Sequence, residues 1–314
     1  MIPVHPSRED NLSGGQELVE GWTVVWTRGE GCADIAEILA LETPRRVEGD
    51  LRAACVAARA DLLVAGALTS FDLVPTVVPD AVDLPRVTDV VAAVAGGPHT
   101  ALAARIAQRI ASLCQVPGTL VSVSRDDDGD RSALEMLERI GSSAPLLEQR
   151  VLRARSARAV VGELGETTLL VIGAPGGSWL QRQFFGPGKQ LIRTAPNGTV
   201  VVRDAPERCY RRLREDALAF GGAMPAGEAL KVVEHSAAPV VEDGRLVGII
   251  RRSALEAAGG ETTVGEAMED PVFVYVDDPV DELAHLAEFL EGSPVPVVDR
   301  DARLLGSIPP PDLR

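Results

Sequence analysis

The chain has 314 residues, of which 46% are hydrophobic, 25% charged and only 4% aromatic, and its formal net charge is −15. That length holds two or three domains, with cores built from Ala, Val and Leu. The acidic balance opposes nucleic acid and anionic membrane as partners, so a phosphate ligand has to be met by local backbone donors or a Lys/Arg side chain.

Met1–Asp10 has no apolar core and carries acids, unlike a signal peptide. No apolar run reaches the roughly 18 residues that span a bilayer. The expected address is cytoplasmic. Trp22–Trp26 reads as a strand, Asp34–Leu41 as a helix, and Arg45-Arg46-Val47 as extended. Asp50–Arg59 reads as a helix, Asp61–Gly66 as a strand and Leu73–Val78 as a further strand. This β-α-β-α-β order matches that of Gly118–Gly173 downstream. Two readings stand: a repeat lacking its first strand and helix, or a generic α/β segment. Neither carries a phosphate site, because Ala67-Leu68-Thr69-Ser70-Phe71 follows the last strand without paired glycines.

From Val87 onward apolar runs alternate with amphipathic stretches, the pattern of a parallel α/β sheet. Strands are expected at Thr88–Ala95, Thr119–Ser124, Leu146–Leu152, Thr168–Ile172 and Thr199–Val202. Helices are expected at His99–Cys114, with apolar Leu102, Ile106 and Ile110, then after a capping box at Ser132–Glu135, at Ser156–Leu164, and at Lys189–Thr194. Gly173, Gly176 and Gly186 follow the strand ending at Ile172. Glycine lets backbone N–H groups approach a polyanion, since no Cβ holds it off, and a helix start at Lys189 adds its dipole there.

This segment resembles the nucleotide loop of universal stress proteins, Gly-x2-Gly-x9-Gly-[Ser/Thr]. The resemblance covers residues 85–206 and implies a parallel-sheet fold of the adenine nucleotide alpha hydrolase-like kind. Residues 15–84 would be a degenerate second copy. It implies that Gly173, Gly176 and Gly186 hold a triphosphate, with Gly188 and Lys189 replacing the hydroxyl lost at Pro187. It also marks a departure: the family's nucleoside-contacting Asp is replaced by Ala95. The bland alternative is that the glycines keep only the sharp turn. A Walker loop is excluded by Gln183 and Gln190.

Past Pro206 comes a charged helix containing Arg211, Arg212, Arg214, Glu215 and Asp216, and then a helix–strand–turn–strand unit appears twice. Gly227–Glu234 leads into Ala238–Ile250; Asp281–Glu291 leads into Pro294–Ile308, introduced by Thr263–Met268. The repeated Pro-Val-Val and Gly-x-Ile signatures resemble a tandem CBS pair over residues 213–314, its first copy truncated at the front. The resemblance implies adenosine ligands gripped by a Thr/Ser and an Asp after each Gly-x-Ile strand. Ala254 stands at the first Asp position, Asp312 keeps the second, and Pro309 replaces its Thr. Arg251 and Arg252 either face phosphates or form a solvated strand end. A structural dimer-forming module is the alternative.

Cys32, Cys55, Cys114 and Cys209 are scattered, without the paired spacing of a zinc site, and read as buried thiols. Asp126–Asp130 with Ser124 and Glu135 has partial calcium-loop spacing, but a strand precedes it. The combined expectation is a cytoplasmic regulatory sensor that needs no cofactor and binds an adenine nucleotide (ATP or AMP) at the glycine loop, the CBS cleft, or both. It is expected to be a homodimer with a protein partner and not an enzyme; slow ATP hydrolysis stays open. The alternative is a ligand-free scaffold with decayed sites.

Overall fold

In the computed structural model of the chain, residues 21–68, 70–94, 96–124, 127–154, 157–174, 195–259 and 261–310 are described. Their contacts divide into two compact units. One gathers Thr23–Ala36, Glu42–Pro79 and Val202–Arg314; the other is built on Asp80–Val201 with Glu37–Leu41. The architecture is mixed α/β, with extensive parallel sheet and, towards the C-terminus, two small three-stranded sheets.

The first elements are β1 (Val24–Trp26), α1 (Cys32–Leu39), β2 (Arg45–Arg46), α2 (Leu51–Ala58), β3 (Leu62–Val64) and β4 (Thr76–Asp80). The strands pair in parallel in the order β2-β1-β3-β4. Leu62, Leu63 and Val64 are all buried, as befits a strand covered on both faces. Helix α2 starts where the Asp50 carboxylate accepts a hydrogen bond from Ala53 N–H at 3.1 Å. It stops at Arg59, whose left-handed backbone returns its N–H to Cys55 and Val56 carbonyls.

In the Asp80–Val201 unit the order is β5 (Asp89–Val94), α3 (Thr100–Cys114), β6 (Gly118–Ser124), α4 (Asp127–Gly141), β7 (Glu148–Arg153), α5 (Ala157–Gly162), β8 (Thr168–Gly173) and β9 (Thr199–Arg203). In the sheet they stand β9-β8-β5-β6-β7. Leu102, Ile106 and Ile110 of α3 are buried, as their spacing requires. The chain steps from β5 outward to β6 and β7, then returns to place β8 on the other flank of β5. Such a reversal opens a crevice at the carboxyl ends of the two central strands. The amino-terminal order β3-β1-β2 is that of β8, β6 and β7 with β5 removed.

Helix α4 begins at Asp127, not at the Ser132 capping box. Ser132 and Glu135 are exposed positions in the helix interior, while Ala133, Leu137 and Ile140 face the core.

The C-terminal elements are α6 (Cys209–Arg212), β10 (Phe220–Gly221), α7 (Ala226–Val232), β11 (Ala237–Glu242), β12 (Arg245–Arg251), α8 (Arg252–Ala257), α9 (Val264–Ala267), β13 (Val274–Tyr275), a 3-10 turn at Val280–Glu282, α10 (Ala284–Phe289), β14 (Val295–Val298) and β15 (Leu304–Ile308). Both small sheets have one design. A short strand runs parallel to the first arm of a hairpin, and the register shifts once, at Val240/Val241 and again at Val297/Val298.

Each repeat lends its leading segment to the other. Arg214 and Ser307 exchange both backbone bonds at 2.9 Å, and Glu269 and Ile249 do the same at 2.8 and 3.1 Å. Glycine permits both crossings: a Cβ on Gly248 would lie 2.6 Å from Met268 Sδ, and one on Gly306 would overlap the Arg214 carbonyl. The first repeat is therefore complete rather than truncated, because its leading segment lies on the second repeat's sheet. One core then joins these repeats to the first elements of the same unit: Val25, Cys55, Leu63, Tyr210, Val297 and Ile308 share a hydrophobic cluster.

Candidate functional site

A cleft of about 610 Å3 opens in the C-terminal region between the leading segment of the first repeat, the end of α7 and the end of β15. That volume suits a small-molecule ligand. Ala237, Ala238 and Pro239 line it with short apolar side chains, and Leu218 adds an aliphatic face. Arg214 brings a cation, His235 an imidazole, and Asp216 and Glu234 carboxylates that accept hydrogen bonds from hydroxyl or amino groups. Apolar lining beside mixed charges fits a ligand with a flat ring at one end and polar groups at the other. Ala237 N–H is already held by the buried Ser293 hydroxyl at 2.8 Å, which fixes the wall from behind. Pro309 and Pro310 close the rim. Asp312, two residues further on, lies outside the described residues.

The pairing that equates Ser307 with Ile249, and Pro296 with Pro239, also equates Pro309 with Arg251, Arg214 with Glu269, and Glu234 with Glu291. At this second position the chain supplies its own occupant. Arg251 Nε lies 3.2 and 3.1 Å from the two Glu269 oxygens, and its Nη1 lies 3.2 Å from Glu291. The guanidinium also donates to the Phe289 carbonyl at 3.3–3.4 Å and sits 5.0 Å from that residue's ring centroid. Arg252 donates to the Val233 carbonyl. Both arginines are thus engaged within the protein. The proline at position 309 has no side chain able to cross in this way, so the two repeats, alike in backbone, differ in what fills them.

Gly173 ends β8 beside the end of β5, where Ala93 and Ile172 are in register. A Cβ there would lie 3.2 Å from His99 Cβ, so close packing on the start of α3 already favours glycine. Gly176, Gly186, Gly188, Lys189 and the helix expected at Lys189–Thr194 lie outside the described residues, as do Ala95, Asp126 and Pro187. The corresponding place after β3 is shut: a Cβ on Gly29 would stand 2.7 Å from Gly66 Cα.

The Ser124 hydroxyl donates to Asp130, and Arg153 Nε donates to the same carboxylate at 3.1 Å. Arg153 first, and Ser124 second, hold the Asp130 carboxyl below its ordinary pKa. Among the described residues no group of three or more His, Cys, Asp or Glu could hold a metal ion. Cys32, Cys55 and Cys209 are buried, and burial pushes the Cys55 and Cys209 thiols to about 12, which leaves them inert.

Sequence reasoning reached the repeats but not Arg214, Leu218 and His235 as neighbours. His235 was visible as the counterpart of Gly292 before each Ser and strand. The sequence places Arg214, Glu215 and Asp216 in a charged helix, but that helix ends at Arg212 and Arg214 instead pairs with Ser307, because the crossing of leading segments leaves no periodic trace.

The sequence pattern of the CBS domain family matches residues 212–258, so a CBS domain is present there. Among curated proteins, none matches the chain. Similar solved structures include the soluble part of a magnesium transporter, with 23% identity over 34% of this chain and 46% of that one, TM-score 0.31. A CBS domain pair/ACT domain protein from Thermotoga maritima shows 18% identity over 34% and 93%, TM-score 0.32. A CBS domain pair in complex with 5′-methylthioadenosine and S-adenosyl-L-methionine shows 27% identity over 34% and 93%, TM-score 0.30. The chain spans less than half of the transporter fragment it matches. No helix among the described residues is long and apolar enough to cross a membrane.

Proposed function

We propose that the chain is a regulatory protein whose CBS pair takes one adenine nucleotide in the cleft between Arg214, Leu218, His235 and Pro309. The observation that carries this reading is the asymmetry of the two repeats: one position is open and mixed in polarity, and the other is crossed by Arg251. The apolar wall suits the face of an adenine ring, Asp216 and Glu234 suit ribose hydroxyls, and Arg214 suits a phosphate. Asp312, outside the described residues, is the further ribose ligand that the CBS resemblance implies. The α/β region is read as a universal stress-type domain with a degenerate copy before it, and the order β3-β1-β2 supports the copy. Its glycine loop, Gly173 to Lys189, which follows β8 in the chain, is the second nucleotide position in this reading. The protein is read as a cytoplasmic homodimer of the stress-response kind that binds its nucleotide without turning it over.

Thermal shift and calorimetry with AMP, ADP and ATP, with and without magnesium, test this. A nucleotide at 100 times its dissociation constant stabilises by about 2.7 kcal/mol. Cleft binding shows one equivalent per chain that His235→Ala weakens; loop binding shows an ATP response that Lys189→Ala removes. No response to any of them overturns the reading in favour of the ligand-free scaffold.

A further inference from the structure

The strongest unexplained feature is the segment Leu213–Asp216, which has two working faces. Arg214 and Asp216 line the cleft. Leu213 and Glu215 line a different groove, of about 510 Å3, together with Val56 and Arg59. Three consecutive residues just after α2 are held by Tyr210 and Arg211 of α6 together with Glu215 of this segment. Arg59 pairs with Glu215 at 2.6 Å, the Ala60 carbonyl accepts from the Tyr210 hydroxyl at 2.9 Å, and Asp61 pairs with Arg211 at 2.6 Å. Tyr210 is buried, and Asp61 also anchors β1 by accepting from Thr23 N–H at 2.8 Å. The residues that line the cleft, Arg214 and Asp216, are therefore chain neighbours of those that hold the Arg59–Asp61 turn, Tyr210, Arg211 and Glu215.

We propose that occupancy of the cleft is coupled through Leu213–Asp216 to the turn Arg59–Asp61, so that the amino-terminal α/β segment is the element this site regulates. The inference rests on the cleft being the ligand site. A ligand that shifts the backbone at Arg214 or Asp216 shifts Leu213 and Glu215 with it, since they are adjacent in the chain. Linkage requires the reverse as well: loosening the turn changes ligand affinity.

The test uses the full chain. Hydrogen exchange of the amides in Cys55–Val64 is followed on adding AMP or ATP, with those of β6 as control. Tyr210→Phe with Glu215→Ala, both outside the cleft, should change the dissociation constant about fivefold and abolish the response in Cys55–Val64. Two further variants, Ala217→Trp and Leu218→Trp, fill the cleft without any ligand and should alter the same amides. If every folded cleft-filling variant leaves Cys55–Val64 unchanged, the coupling is wrong. If AMP and ATP fail to bind while a filled cleft still shifts those amides, the coupling stands and the nucleotide reading falls. Binding that is indifferent to the Tyr210/Glu215 pair overturns the coupling alone.

Discussion

Gly306 carries more of this structure than its size suggests. Its φ is +153°, and the Arg214 backbone passes so close that no Cβ fits between them. Gly306→Ala must break the Arg214–Ser307 exchange or distort β15, and both involve buried backbone groups left unpaired. The expected loss is about 2–4 kcal/mol in urea unfolding. Gly221→Ala is the matched control: it also lies in a repeat strand, but a Cβ there meets nothing within 4 Å. It should cost less than about 1 kcal/mol. Equal losses at the two positions would show that the crossing of the leading segment is not what Gly306 serves.

At the level of elements, α2 joins the two parts of its unit, and its start depends on one side chain. Asp50→Ala removes the acceptor for Ala53 N–H and should lower stability by about 1 kcal/mol, whereas Asp50→Ser should keep most of it. The urea midpoint of each variant decides. The sequence reading takes Asp50 as the first helical residue, whereas it caps a helix that begins at Leu51. The start of α4 also differs from the one expected. Ser132 and Glu135 have capping-box spacing, but the helix already begins at Asp127, which leaves both at exposed positions in its interior. Thr263 and Glu266 have the same Thr/Ser-x-x-Glu spacing and do form a capping box, since α9 has no helical residues before it.

Across the whole Thr23–Pro79 and Val202–Arg314 unit, one carboxylate ties α2 to the second repeat. The Asp277 side chain is 4% exposed; it receives Arg52 of α2, and it lies 2.7 Å from Arg300, whose guanidinium stacks 4.1 Å from the Tyr275 ring. Burial alone would raise its pKa, but Arg300 and then Arg52 outweigh burial, and the carboxyl is held below its ordinary value. The folded state therefore holds this proton less tightly than the unfolded chain. Its contribution is complete above the ordinary carboxylate pKa of about 3.9 and disappears as pH falls through the lowered folded value. Asp277→Asn should be less stable at neutral pH and approach the wild type in acid. Parallel curves from pH 7 down to acid, in urea titrations, would refute that role. Glu207, held low by Arg212, adds to the wild-type slope in both proteins and so cancels in the comparison.

Local order was open to reading because it depends on neighbours in the chain. Apolar spacing marked α3, Pro-Val-Val and Gly-x-Ile marked both small sheets, and the strand before Gly173 announced β8. The exchanged leading segments, the arginine lying across one cleft, and the grip of residues 210–215 on the turn after α2 could not be seen that way. Each joins side chains far apart in sequence, such as Tyr210 with Ala60 or Arg214 with Ser307. Only the packed core decides which distant surfaces meet, and here that meeting decides which of two like repeats stays open.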